Sequence, residues 1–369
     1  MNNSVNFDRP VYFLLGLPID CLTTQQALQV LEQSALQSKP CFLSTPNLNF
    51  LISARHDPDF RMSVIDSDLV VADGMPLVWA ARWMDIPLPE RVAGSTLVER
   101  LRRDPNGRRR LKVFFFGGPE GVAEKANQIL TDETSGLTGA GAHYPGFGTV
   151  DAMCAPEVVA QINDAQPDVV IVSLGAKKGQ LWIQRMRRQL NAPVISHLGA
   201  VVNFIAGTVA RAPMWMQKTG LEWVWRMYEE PSLFKRYWSD GKAFLSLLWF
   251  NVRPLSHHAK QLKSRLGHLP PLEFEVQSST PSEHLILIRG RALVTDLAPL
   301  RQALAHLCMQ DTRDIRIDLS GCQCVDPGFL GLLCLVLKHQ RSIGKKLELT
   351  GLSPNLKEHF ELHGAGFML

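Results

Sequence analysis

Short apolar runs alternate with helix-period segments along the first two-thirds of the chain, and a polar or glycine-rich turn closes each run. Val11 to Leu17 is the first run, and Thr23-Thr24 caps a helix predicted over Gln25 to Gln37. Pro40 to Ser44 is a short strand that leads into Thr45-Pro46-Asn47-Leu48-Asn49, and Asp57-Pro58-Asp59 opens another helix. Leu69 to Ala72 has the pattern of a buried strand, ended by Asp73, Gly74 and Pro76. Lys112 to Phe116 runs into Gly117-Gly118-Pro119-Glu120-Gly121 and then a helix. Val169 to Leu174 repeats the arrangement, ending in Gly175-Ala176-Lys177-Lys178-Gly179-Gln180, and Pro193 to Leu198 is a further strand. Strands separated by helices predict an α/β fold, a mostly parallel sheet with helices on both faces.

After Arg253 the pattern changes. Residues 255–270 are polar, basic and rich in His, Gly and Pro, as in a linker. A smaller α/β unit follows over 271–369. It has strands at Leu272 to Val276, Leu285 to Ile288, Ile315 to Leu319 and Lys346 to Thr350, and helices at Asp296 to Met309, Phe329 to Arg341 and from Pro354. The expected division is therefore 1–254, a linker, and a C-terminal domain, with the chain up to Pro270 folding without the rest.

Composition adds limits. At 369 residues two domains are the default, and 46% hydrophobic residues support full cores. The N-terminus lacks a secretory pattern, and no apolar run approaches the eighteen or so residues of a spanning helix. Seven scattered cysteines, Cys322 and Cys324 only one residue apart, fit a reducing compartment better than a disulfide framework or a zinc site. Charge is uneven. From Arg211 to Arg265 there are ten Lys/Arg against four acids, with five of the eight tryptophans. Such a mixture suits a bilayer interface, a single-stranded nucleic acid, or an aromatic core with a solvated basic rim.

The candidate chemistry lies at strand ends, where open α/β sheets bind their ligands. Asp73 stands at one of them, either as a cap of the following helix or as a general base beside an apolar wall. Gly117 and Gly118 join a strand to a helix, where backbone amides favour a phosphate or diphosphate. The spacing is not that of a dinucleotide fingerprint, and a P-loop lysine is absent. Thr45, Asn47 and Asn49 offer hydrogen-bonding groups, or a turn with its caps. Lys177 and Lys178 could meet phosphate oxygens after Gly175, or simply be solvated. Asp57-Pro58-Asp59 and Asp66-Ser67-Asp68 read as caps rather than metal-binding pairs. The histidines, His143 and His197 included, lack metal-ligand spacing, so neither metal nor cofactor is expected.

Thr45-Pro46-Asn47, Asp73-Gly74 with Ala80-Ala81-Arg82, and Glu90-Arg91-Val92-Ala93-Gly94 resemble successive signatures of the WecG/TagA/CpsF glycosyltransferases, family 26. The resemblance continues through Val113 to Gly117, His143-Tyr144-Pro145-Gly146-Phe147, Leu174-Gly175-Ala176, Ala206-Gly207 and Arg211-Ala212-Pro213. It closes with Gly220-Leu221-Glu222-Trp223, Arg226 and Glu230-Pro231. It implies a Rossmann-like fold and an inverting transfer of a sugar, N-acetylmannosamine or a related hexose, in surface or exopolysaccharide biosynthesis. The donor would be a UDP-sugar and the acceptor a polyprenyl-diphosphate-linked sugar. Asp73 would be the base, Thr45 and Asn47 would line the pocket, and Asn49 and Arg91 fall within the matching motifs. Residues 211–254 would dock on the membrane surface, at the inner face of the cytoplasmic membrane, with Arg211 and Arg226 neutralising diphosphate. That implication sets nucleic acid aside as a partner.

One departure stands out. Members usually carry Pro-Lys-Gln-Glu where this chain has Lys177-Lys178-Gly179-Gln180, so Gly179 occupies the glutamine position. Gln180 or Lys177 would have to substitute. That change sustains a runner-up reading, a catalytically silent sugar-nucleotide-binding scaffold. The C-terminal unit resembles a STAS domain through Ile317-Asp318-Leu319-Ser320, Val325-Asp326 and Leu330-Gly331. The place of the phosphorylatable serine in regulated members is Pro327 here, which implies an interaction module with a protein partner and no phospho-switch.

Overall fold

A computed structural model describes residues 5–103, 109–280 and 282–369. Its strands, in chain order, are β1 (Val11–Leu14), β2 (Leu17–Asp20), β3 (Cys41–Ser44), β4 (Leu69–Val70), β5 (Leu111–Gly117), β6 (Leu137–His143), β7 (Val169–Ser173) and β8 (Val194–His197), followed by β9 (Glu273–Thr280), β10 (Glu283–Ala292), β11 (Asp314–Val325) and β12 (Leu347–Thr350). The chain divides into two compact units. One comprises Leu22–Pro76 and Pro89–Lys242. The other comprises the residues up to Cys21 together with Leu77–Leu88 and Ala243–Leu369.

The larger unit is built on a six-stranded sheet in the order β4-β3-β8-β7-β5-β6, with every pairing parallel. Its strands are continuously apolar because both faces are covered. In β5, Val113 and Phe115 join one core, and Phe114 and Phe116 join the other. The first core takes Ala27, Leu28 and Leu31 from the helix Thr24–Leu36, and Ala123, Ala126 and Leu130 from Val122–Asp132. The second takes Val158 and Ile162 from Pro156–Asp164, and Trp182, Ile183 and Met186 from Ala176–Met186. The predicted Rossmann-like architecture is present. Because the strands run one way, their carboxyl ends share one edge, which gathers Thr45–Asn49, Asp73, Gly117–Gly118 and Gly175.

The second unit carries a four-stranded sheet, β12-β11-β10-β9, in which only β9 is antiparallel to its neighbour. The residues up to Cys21 pack in this unit. The run expected as one strand turns back at Leu15 (φ 49°) and Gly16 (φ 115°) into the hairpin β1–β2. Phe7, Val11 and Phe13 of this segment share one core with Ile286, Ile317, Phe329 and Leu330. The helix Pro327–Ser342 is thereby buried on nearly every side. Gly331 is what lets the hairpin lie so close: a Cβ there would stand 2.2 Å from the Val11 carbonyl oxygen. Arg301 closes the arrangement by donating to the Phe7 carbonyl at 2.5 Å. The expected linker is a helix, Arg253–Arg265, with Leu255 buried, and Asn251 just before it donates to the Leu362 carbonyl at 2.8 Å.

Candidate active site

Asp73 is placed by backbone continuity beyond β4. Its own N–H donates to the Pro46 carbonyl at 2.7 Å, and the Val92 N–H donates to the Ala72 carbonyl at 2.9 Å. The carboxylate does not cap the helix Met75–Trp83; it accepts from the Gly94 N–H, 3.2 Å from Oδ2. Burial pushes its pKa up to about 6, and the charge of Glu222 adds to the shift. Arg91, the Gly94 amide and Arg211 oppose it. An acid with that value is ionised at neutral pH yet holds a proton far better than a solvated carboxylate, as a general base requires.

The three arginines anticipated for the site are held by carboxylates. Arg91 pairs with Glu222 at 2.8 Å, and Arg226 with Glu230 at 2.9 Å. Arg211 pairs with Glu99 and donates to Thr96 Oγ1 at 2.7 Å. The Nε atoms of Arg211 and Arg226 are buried with no hydrogen-bond partner, so each guanidinium keeps an unused donor. Glu222, Glu99 and the Gly94 amide are site groups that no sequence motif assigns a role. Glu222 and Gly94 sat in quoted motifs, but Glu222 meets Arg91 across 131 positions of chain, a separation no local pattern reports.

Gly117 (φ 91°) and Gly118 (φ 95°) form the expected turn after β5. The helix Val122–Asp132 then begins at Gly121 without a side-chain cap. Its leading amides are the kind that bind phosphate oxygens. Asn47 takes the role of helix cap, accepting from the Phe50 N–H at 3.2 Å, while remaining exposed at the sheet edge. Thr45 is buried beside it. Asn49 donates to Asp240 at 3.4 Å and so ties the strand end to the helix Phe234–Leu247.

Lys177 to Gln180 form the opening turn of the helix Ala176–Met186, which Gly175 starts. Lys177 pairs with Asp57 at 2.5 Å, which lowers the Asp57 pKa, and Lys178 donates to the Gly148 carbonyl at 2.8 Å. Gln180 is fully buried and donates to Ser44 Oγ at 2.8 Å, within a chain of hydroxyls reaching Ser67. It braces the end of β3 from inside. Gly179 lies against His197, where a Cβ would come within 2.1 Å of the ring. That ring sits 2.6 Å, through Nε2, from the Leu174 carbonyl, so Nε2 carries the proton, and burial keeps the imidazole neutral.

The aromatic residues of 211–254 are largely on the surface. Trp215, Tyr228, Phe234 and Trp238 are exposed, Tyr228 at 78%, and Lys242 lies 5.9 Å from the Trp238 ring. That excludes a buried aromatic core for this stretch. No helix among the described residues is long and apolar enough to cross a membrane. In the second unit Asp326 caps the helix Pro327–Ser342 by accepting from the Phe329 N–H at 2.8 Å.

The model of the family described as "Glycosyl transferase WecG/TagA/CpsF" matches residues 12–257, and one described as "Mlab, STAS domain" matches residues 276–369. An N-acetylglucosaminyldiphosphoundecaprenol N-acetyl-beta-D-mannosaminyltransferase of Bacillus spizizenii is 27% identical over 236 residues, covering 63% of this chain and 89% of that protein. Its namesake in Staphylococcus aureus is 25% identical over 215 residues, covering 58% and 82%. The solved structure of the unphosphorylated anti-sigma factor antagonist SpoIIAA aligns with 26% of this chain and 84% of its own, at 16% identity and a TM-score of 0.25.

Proposed function

The chain belongs to the WecG/TagA/CpsF glycosyltransferase family, and from that premise we propose that it moves a sugar from a UDP-sugar to a polyprenyl-diphosphate-linked acceptor, with Asp73 as the base. The reaction removes a proton from the acceptor hydroxyl to Asp73 while that oxygen attacks the anomeric carbon. The bond from that carbon to the donor's β-phosphate oxygen breaks on the opposite face, so the configuration inverts and UDP leaves with an added negative charge. The amides of Gly118, Glu120 and Gly121, with those of Ala123 and Glu124 in the first turn of the following helix, are the groups suited to the leaving diphosphate. Arg211 and Arg226 would offer guanidinium charge to the acceptor's diphosphate. Thr45 and Asn47 would orient the sugar. The namesakes' acceptor, an undecaprenol-linked N-acetylglucosamine, supports this choice of acceptor, and N-acetylmannosamine is the first sugar to try.

The observation that carries the reading is the Asp73 carboxylate, partly buried at the carboxyl edge of a parallel sheet and held by an amide. The exposed aromatics and cations of 211–254 support attachment to the inner face of the cytoplasmic membrane, where a prenyl-linked acceptor would reside. The product would enter surface or exopolysaccharide synthesis. The silent-scaffold alternative drew on Gly179, and that position is accounted for by the His197 ring. The STAS-like unit would contribute an interaction surface away from the helix Pro327–Ser342, whose faces are already covered. The test is release of UDP from a series of UDP-sugars, with a short-chain prenyl-diphosphate-linked N-acetylglucosamine as acceptor. Turnover with none of them, while UDP binds, would favour the scaffold.

A further inference from the structure

We propose that Glu222 is a positioning residue for the base, holding Arg91 so that the loop ending at Gly94 stays in place and the guanidinium charge is balanced before it acts on Asp73. The proposal rests on the reading of Asp73 as the base. Arg91 and Glu222 meet at 2.8 Å with side chains only 15% and 17% exposed, so removing either partner leaves the other charge poorly solvated and unbalanced. Arg91 heads a four-residue stretch that is bonded twice to the Asp73 segment. The Val92 N–H reaches the Ala72 carbonyl, and the Gly94 N–H reaches the Asp73 carboxylate. Anchoring Arg91 therefore steadies the stretch that carries the Gly94 donor.

The chain brings Glu222 to that point by a close turn. Gly220 has φ 79°, and a Cβ there would lie 2.4 Å from Met75 Cγ, so the segment before Glu222 packs against the second residue after Asp73. Glu222 then opens the helix Glu222–Glu229, where a carboxylate is favoured by the helix's positive end. The charged groups around Asp73 are Arg91, Glu222 and Arg211, with Arg211 itself matched by Glu99. Without Glu222 the Arg91 charge would act on Asp73 unopposed, stabilise the carboxylate and leave a weaker base.

The experiment is the rate of UDP release against pH, from about 4.5 to 9, for the full-length protein with saturating donor. For Glu222→Gln the acid limb should move to lower pH by about one unit, with a several-fold lower plateau and little change in donor KM. For Arg91→Gln the limb should move the opposite way, and Glu222→Asp should restore its wild-type position. The limb's position does not depend on how much protein is folded, so lost protein cannot imitate the shift. An unmoved limb in Glu222→Gln, or movement in the same direction for both variants, overturns the proposal. Asp73→Asn run alongside separates the two claims. Wild-type turnover there refutes the base and the Glu222 role together, whereas an inactive Asp73→Asn with an unmoved Glu222→Gln limb refutes Glu222 alone.

Discussion

Removing everything after Pro270 tests how the two ends of the chain depend on each other. The sequence pattern suggests that the remainder would fold and work by itself. The structure argues otherwise, because Phe7, Val11 and Phe13 are 5%, 1% and 0% exposed within a core whose other members come from residues 286–368. Each such side chain returned to water costs about 1.5–3 kcal/mol, so the three together lose roughly 4.5–9 kcal/mol. That compares with a total stability of about 5–15 kcal/mol for an ordinary domain. The hairpin β1–β2 would also lose the Arg301 bond to the Phe7 carbonyl, and an isolated two-stranded hairpin is marginal in water. The 1–270 fragment should therefore bind a hydrophobic dye, elute as aggregates, and exchange the amides of residues 11–20 within seconds. Co-expressing 271–369 should restore solubility. A monodisperse fragment with those amides protected as in the full chain would refute the reasoning.

Gly179→Ala should lower stability by about 1–3 kcal/mol, read as a denaturant midpoint, because the new Cβ meets a ring pinned by the Leu174 carbonyl. Adding His197→Ala should relieve most of that loss, and strict additivity would contradict the clash. Replacing Lys235, Arg236 and Lys242 with Gln should weaken sedimentation with anionic vesicles by about 1 kcal/mol per charge, most visibly at low salt. Unchanged binding would remove the helix Phe234–Leu247 from the membrane contact. Asp73 has a folded pKa of about 6 against an ordinary 3.8, so its ionisation costs stability. The stability tied to its neutral form is complete below pH 3.8 and is lost as pH rises through 6. Asp73→Asn should consequently be more stable than the wild type at pH 8, by about 2 kcal/mol allowing for partial exposure, and equal to it near pH 3.5. The same difference at both values would show that the carboxylate is not strained by burial.

Much of the larger unit is legible because its strands announce themselves. Phe114, Phe115 and Phe116 in succession can only belong to a strand covered on both sides, and the turn at Gly74–Pro76 places Asp73 just past such a run. β6 escapes notice because Leu-Thr-Gly-Ala-Gly-Ala-His lacks the branched and aromatic residues that mark a strand. The hairpin is hidden because its turn, Leu15–Gly16, lies inside an apolar run and depends on positive φ angles that a hydropathy pattern does not reveal. The helix Arg253–Arg265 reads as a linker because Pro254 occupies its first turn, where proline is tolerated, and its polar face outweighs Leu255. At the site, residue types are readable and pairings are not: nothing local announces that Lys177 meets Asp57 or that Lys178 meets the Gly148 carbonyl.

Turnover and UDP affinity measured together for Asp73→Asn decide whether this carboxylate is the base. The expected kcat is lower by about 10²–10⁴, the range for loss of a positioned base, with the dissociation constant for UDP essentially unchanged. Release of UDP from the donor at the wild-type rate in the presence of acceptor would show that Asp73 takes no proton from the acceptor.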